Sequence, residues 1–243
     1  MDRIQLLGLS VDRLNMDEAL ATINGYIAQG TPHHVVTADA SMVVIAREDA
    51  DLSAIVQRAD LITPDGAGLV WASKLLGTPI VDRVSGVDLV ARLCEVSAKT
   101  GIKLYFLGAA PGVADDAAAN LRIKYPGANI VGTRHGYYGA DEEPTVVAGI
   151  REMAPDVLLV AFGIPKQEKF ITKHRDAMQV PVSIGIGGSF DVYSGRVKRA
   201  PLWMQRAGLE WLFRLAQNPK KISKVMTLPR FVVLAVKTKL SRS

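Results

Sequence analysis

Apolar and polar positions follow two periods along this chain, and the changes between them outline its elements. Short runs rich in Val, Ile and Leu recur: IQLLGLSV near the N-terminus, then HHVVT (33–37), ADLIT (59–63), KLYFLG (103–108), ANIVGT (128–133), DVLLVAF (156–162) and PVSIGIG (181–187). Bounded by Gly, Pro and Asp, such runs read as buried strands. Between them apolar residues return at helical spacing, and these segments end in Gly or Pro. The first opens at Asn15 with Glu18 three residues on, a capping box, so the N-terminal run, this helix and HHVVT predict a β-α-β start. Sustained to residue 187, the rhythm predicts an α/β fold: a Rossmann-like, mostly parallel sheet with helices on both faces.

Ligands of such sheets bind outside the carboxyl ends of the strands, so the residues after each apolar run are the ones to read. They are Thr37-Ala-Asp39, Thr63-Pro-Asp65-Gly-Ala-Gly68, Gly108 to Gly112, Gly136-Tyr137-Tyr138, Gly163 to Glu168, and Gly185 to Asp191. All are expected to converge on one cleft. Glycines there let backbone N–H groups approach an anion, and the Gly108 and Gly187-Gly188 turns both qualify, although either reads equally as a plain tight turn. Neither completes the dinucleotide fingerprint, because position 190 is Phe, which argues against a nicotinamide oxidoreductase. Asp191 is placed to take ribose hydroxyls. Asp65 is a candidate general base directed into the cleft, or else the N-cap of the following helix. Thr37 is a cleft hydroxyl or a strand-end residue. Arg83 and Lys166-Gln167-Glu168 supply cations and hydrogen-bond donors, or form charged surface loops.

Composition changes the picture in the last fifth of the chain. Over 243 residues, 49% hydrophobic and 22% charged, the net charge is +5, ordinary for a globular chain. Yet residues 1 to 195 carry 17 Lys+Arg against 23 Asp+Glu, while 196 to 243 carry 12 against one. The expected organisation is an α/β catalytic domain over 1–195 and a basic, helical, amphipathic C-terminal appendage over 196–243. Pro201 at a helix start and Trp203, Leu209, Trp211, Leu212 and Leu215 at helical spacing make an apolar stripe beside Arg199, Arg206 and Arg214. A basic amphipathic element reads as a binder of an anionic membrane surface. Packing of its tryptophans on the body, or a nucleic-acid partner, are the competing readings; no nucleic-acid motif accompanies the charge. An exposed stripe also serves a subunit interface, so a homo-oligomer stays open. The single cysteine, Cys94, sits in an apolar-periodic segment and reads as core in a reducing compartment. No run reaches the roughly 20 apolar residues of a bilayer span, and the N-terminus is not a secretory signal, so a cytoplasmic protein is expected. His33, His34, His135 and His174 show no liganding spacing, and neither a metal nor a cofactor is expected.

Three strings carry a resemblance: TPDGAG (63–68), FGIPKQEKF (162–170) and GGSFDVYSGRVKRAPLWMQRAGLEWLFRL (187–215). Occurring together in this order, they make the chain resemble the WecG/TagA/CpsF glycosyltransferases, family 26, from the N-terminus to about residue 240. The resemblance implies an inverting, metal-independent transfer from a UDP-sugar, of N-acetylmannosamine type, to a polyprenyl-diphosphate-linked sugar at the inner face of the cell membrane, in cell-surface polysaccharide or teichoic-acid-type synthesis. It implies Asp65 as catalytic base with Thr37 beside it, Arg83, Gln167 and Asp191 on the donor, and Tyr137 in the matching loop. It also implies a tail that closes over the site, bringing Arg214 and Lys221 or Lys224 toward the diphosphates. The chain departs from the family pattern at Asp39, where Asn is usual, and at Met42, where an acid is frequent. Lys220 and Lys221 stand where arginine is usual, which keeps charge but weakens bidentate phosphate binding. Asp39 would border the sugar pocket with negative charge and disfavour a uronate donor. The alternative to an enzyme is a non-catalytic membrane-surface or nucleic-acid binding module that kept a nucleotide pocket.

Overall fold

The computed structural model describes residues 2–206, 208–217 and 226–241. The N-terminal apolar run does not enter the main sheet. It folds on itself as an antiparallel hairpin, β1 (Arg3–Leu6) and β2 (Leu9–Asp12), because Leu7 and Gly8 both take positive φ and reverse the chain. The expected β-α-β start is therefore a hairpin followed by α1 (Met16–Gln29), which does carry the Asn15–Glu18 capping box.

The main sheet comprises β3 (His33–Ala38), β4 (Leu61–Pro64), β5 (Leu104–Gly108), β6 (Ile130–Arg134), β7 (Val157–Ala161) and β8 (Val182–Gly185). Their order is β4-β3-β8-β7-β5-β6, and every pairing is parallel. Alternate residues of one strand enter different cores, as the two-residue period requires: Val35 faces the layer of Leu20, Leu93 and Phe106, whereas Val36 faces that of Leu52, Leu69 and Phe231. The first layer is built by α1, α5 (Gly86–Thr100), α6 (Val113–Lys124) and α9 (Ser189–Tyr193); the opposite face carries α2 (Ala40–Ala46), α3 (Ala50–Arg58), α4 (Ala67–Leu75), α7 (Glu143–Met153) and α8 (Lys166–Met178). Cys94 is buried in the first layer, where burial pushes its thiol up to about 12. Residues 231–236, FVVLAV, belong to α12 (Thr227–Leu240), whose Phe231 and Ala235 are buried in the second layer against α2 and α4. The tail is thus partly docked on the body.

This topology positions the site. From β3 the chain passes to α2 on one face, and from the adjacent β8 to α9 on the other. Neighbouring strands whose exits diverge leave a crevice at their carboxyl ends.

One consequence of the fold is measurable by pH. His34 on β3 is buried with no partner for Nε2, and burial lowers its pKa to about 4. The unfolded chain therefore takes up a proton at His34 near pH 6.5 that the fold refuses until about pH 4. Stability from this group is complete above pH 6.5 and is lost as pH falls toward 4, a loss of about 3 kcal/mol. In urea unfolding, His34→Phe is expected to show a decline smaller by that amount over the same window. An identical decline in both proteins would remove His34 as its cause.

Candidate active site

Four strand exits line a cavity of about 270 Å³. From β3 come Thr37 and Asp39; from β4, Asp65 and the Gly66–Gly68 turn; from β7, Ile164 and Gln167; from β8, Gly187, Gly188 and Ser189, with Asp191 one turn along α9. The Gly108 and Tyr137 loops do not reach it, so the expected convergence of all six exits holds for four. The physical reason at Gly108 is packing: with φ 120°, a Cβ there would lie 2.6 Å from the Ala161 carbonyl oxygen. Its glycine lets β5 lie close to β7. Tyr137 is 73% exposed.

Asp65 follows from strand register. Ala38 pairs with Pro64 across β3 and β4, so Asp39 and Asp65 leave neighbouring strand ends side by side. The Asp65 backbone N–H donates to Ala38 O at 2.6 Å. The N-cap of α4 is Gly66, with no side-chain cap bond, so Asp65 is not the helix cap. Its Oδ2 instead accepts from the N–H of Gly86, the first residue of α5, at 3.1 Å. A helix N-terminus favours the ionised carboxylate. Asp39 does cap a helix: its Oδ1 accepts from Met42 N–H at 3.0 Å and from Ser41 Oγ at 2.5 Å. Thr37 Oγ1 donates to Gly185 O at 2.7 Å, which ties β3 to β8 at the cavity floor.

Gln167 is the structural key of the floor, and a surface-loop reading does not hold for it or for Glu168, since both are buried. Its Oε1 accepts from Gly163 N–H at 3.1 Å and Gly187 N–H at 3.0 Å, and its Nε2 donates to Glu168 Oε1 at 2.8 Å. One amide side chain therefore holds the turns after β7 and β8 in fixed relation. Gly185 makes room for it, since a Cβ there would lie 2.5 Å from Gln167 Nε2. The peptide at Ile164–Pro165, which leads into this turn, is cis.

The appendage reaches the cavity with two short helices, α10 (Leu202–Arg206) and α11 (Glu210–Gln217). The helical spacing expected from Trp203 through Leu215 is broken at Gly208, which has φ 73°. Gln205, Glu210, Trp211 and Leu215 line the cavity. Arg83 lines it too, and its Nη1 donates to Glu210 Oε2 at 3.1 Å. Arg199, expected on an acceptor diphosphate or membrane, is instead gripped by Asp88, with contacts of 2.7 and 2.8 Å. Burial pushes the Asp88 carboxyl up, and Arg199 and Ser85 reverse this, leaving it below its ordinary value. Arg206 and Arg214 lie in α10 and α11, but their side chains, like Lys221 and Lys224 entirely, fall outside the described residues. Sequence reading missed Glu210 and Asp88, and it named Trp211 only in the apolar stripe and Glu168 only in a charged cluster. Only Glu210 had a signal, as the single acid after residue 195.

A parallel α/β crevice with carboxylates, a buried amide and a glycine turn at its strand ends is where proteins of this architecture bind small ligands. Comparison with known proteins names the kind. The sequence model of the glycosyl transferase WecG/TagA/CpsF family matches residues 4–243, and the chain belongs to that family. It is similar to N-acetylglucosaminyldiphosphoundecaprenol N-acetyl-beta-D-mannosaminyltransferase of Bacillus spizizenii (strain ATCC 23059 / NRRL B-14472 / W23), 36% identical over 87% of this chain and 82% of that protein. The protein of the same name from Bacillus subtilis (strain 168) is 34% identical over the same shares. That of Staphylococcus aureus (strain MW2) is 30% identical over 98% of this chain and 93% of its own length. No helix among the described residues is long and apolar enough to cross a membrane.

Proposed function

We propose that this chain transfers an N-acetylmannosamine-type sugar from a UDP-sugar to N-acetylglucosamine carried on a polyprenyl diphosphate, by a single inverting displacement that needs no metal. The observation that carries this reading is the Asp65 carboxylate, anchored by the first amide of α5 in one cavity with the Gly187–Gly188 turn. Asp65 takes the proton of the acceptor hydroxyl as its oxygen attacks the anomeric carbon, and the bond from that carbon to the UDP oxygen breaks. The relatives' names specify a β-linked product, which a single displacement yields from an α-linked nucleotide donor.

The other residues divide the donor between them. The glycine turn brings backbone up to the diphosphate with no side chain between, Asp191 takes ribose hydroxyls, and Arg83 supplies positive charge as the leaving group departs. Arg206, Arg214, Lys221 and Lys224 add cations from the appendage; Arg199, committed to Asp88, acts by fixing that carboxylate. Thr37 and Asp39 border the sugar, and the Asp39 charge disfavours a donor bearing its own carboxylate. Exposed Leu202 and Trp203 on α10, Leu212 on α11 and Val232, Val233 and Leu240 on α12 lie in the basic segment, which supports attachment to the anionic inner face of the cell membrane.

The test is a panel of UDP-sugars offered with a short-chain polyprenyl-diphosphate N-acetylglucosamine, product scored by mass, with and without EDTA. UDP-N-acetylmannosamine is expected to give the main product at an EDTA-insensitive rate. Transfer of a uronate in preference, or activity abolished by EDTA and restored by a divalent cation, would contradict the reading.

A further inference from the structure

The segment from residue 196 onward carries a single acid among 12 basic residues, and the fold places that acid in the cleft. Glu210 opens α11 and meets Arg83 at 3.1 Å, the two side chains 17% and 22% exposed. Among the described residues lining the cavity, Arg83 is the only cation, against Asp39, Asp65, Asp191 and Glu210. The second amino group of Arg83 lies 3.6 Å from Asp88 Oδ2. Asp88 is a fixed partner, because Arg199 grips both its oxygens and Ser85 Oγ donates to it at 2.6 Å. Arg83 is thus anchored on one side by an immobile carboxylate and occupied on the other by a carboxylate borne on the appendage.

Charge sets this arrangement against a bound diphosphate. The Nη1 group that Glu210 holds is withdrawn from phosphate oxygens, which a guanidinium binds best through a bidentate fork. α11 also puts Trp211 and Leu215 into the same cavity. A diphosphate that takes Arg83 must displace Glu210, one of the contacts that hold α11, which Gln217 also ties to the backbone of Lys198 at 2.8 and 2.9 Å.

We propose that Glu210 is a displaceable latch: its carboxylate holds Arg83 and keeps α11 over the cleft, and it yields the guanidinium to the diphosphate of the incoming nucleotide. The inference rests on the UDP-sugar reading and adds a step to it. Binding exchanges one ion pair for another, Nη1 passing from carboxylate to phosphate oxygen while Asp88 keeps Nη2 aimed. Because the competent state is the unlatched one, apparent affinity is reduced by the fraction of molecules that are latched.

The test uses the full chain, uridine diphosphate and inorganic pyrophosphate as separate probes in titration calorimetry, and amide hydrogen exchange over residues 210–217 without ligand. Glu210→Gln is expected to bind the probes about 5- to 20-fold tighter and to speed exchange in α11, whereas the same substitution in an Arg83→Gln background gives no gain. Unchanged or weaker affinity for both probes, a gain that persists without Arg83, or unaltered exchange in α11 each overturns the latch. Tighter pyrophosphate binding with no uridine diphosphate binding by any form keeps the latch and sinks the nucleotide reading. Failure of both probes to bind any form overturns both.

Discussion

Asp65→Asn is expected to lower turnover by about a thousandfold, within the range that a positioned general base contributes, while uridine diphosphate binds within a few-fold of the parent. The substitution is clean for a structural reason. Asparagine keeps the shape of the side chain, and its oxygen can still accept from Gly86 N–H, the bond that orients Asp65 at the start of α5. The Asp65 backbone N–H bond to Ala38 O is untouched. What is lost is the ability to take a proton. Transfer of radiolabelled sugar under saturating donor, set beside calorimetric binding of uridine diphosphate, separates the two effects. Near-normal turnover removes Asp65 from the chemistry. Loss of both turnover and binding would recast it as a ligand of the donor.

Gln167→Leu should have the next largest effect, and on both function and fold. Leucine fills similar space but removes the acceptor shared by Gly163 and Gly187 and the donor received by Glu168. A lost partner at such shielded groups costs about 1–3 kcal/mol each, so unfolding stability is expected to fall by about 2–4 kcal/mol. The Gly187–Gly188 turn loses its tie to the turn after β7, and uridine diphosphate affinity is expected to drop at least tenfold. Denaturant midpoints and calorimetry measure the two. Parent-like affinity in a folded Gln167→Leu protein would show that the diphosphate does not depend on that turn's position.

Most of the sheet was legible because buried parallel strands are near-continuous apolar runs, and β3 through β8 each lie on such a run, with β3, β4 and β6 running one residue past its end. The hairpin was not, since IQLLGLSV is as apolar as a single strand and only the positive φ of Leu7 and Gly8 divides it. In the site, Thr37, Asp39, Asp65, Gln167, Gly187, Gly188 and Asp191 are adjacent to strand ends, so a rule about strand exits finds them and the fold gathers them in one cavity. The same rule selected Gly108, which serves close packing of β5 on β7 and carries no mark of that in the sequence. Residues whose position depends on long-range docking escaped it. Glu210 meets Arg83 across 127 positions of chain, and Arg199 finds Asp88 across 111. A charge count cannot show that a cation is already paired.

The central claim is that a uridine diphosphate sugar occupies the crevice at the ends of β3, β4, β7 and β8. A crystal structure with uridine diphosphate bound tests it most directly. The account predicts the diphosphate beside the Gly187–Gly188 turn and Arg83, the ribose at Asp191 and the sugar end toward Asp65. Nucleotide density in the shallow groove between Leu9 and Gln57, with the strand-end crevice unchanged, would contradict it.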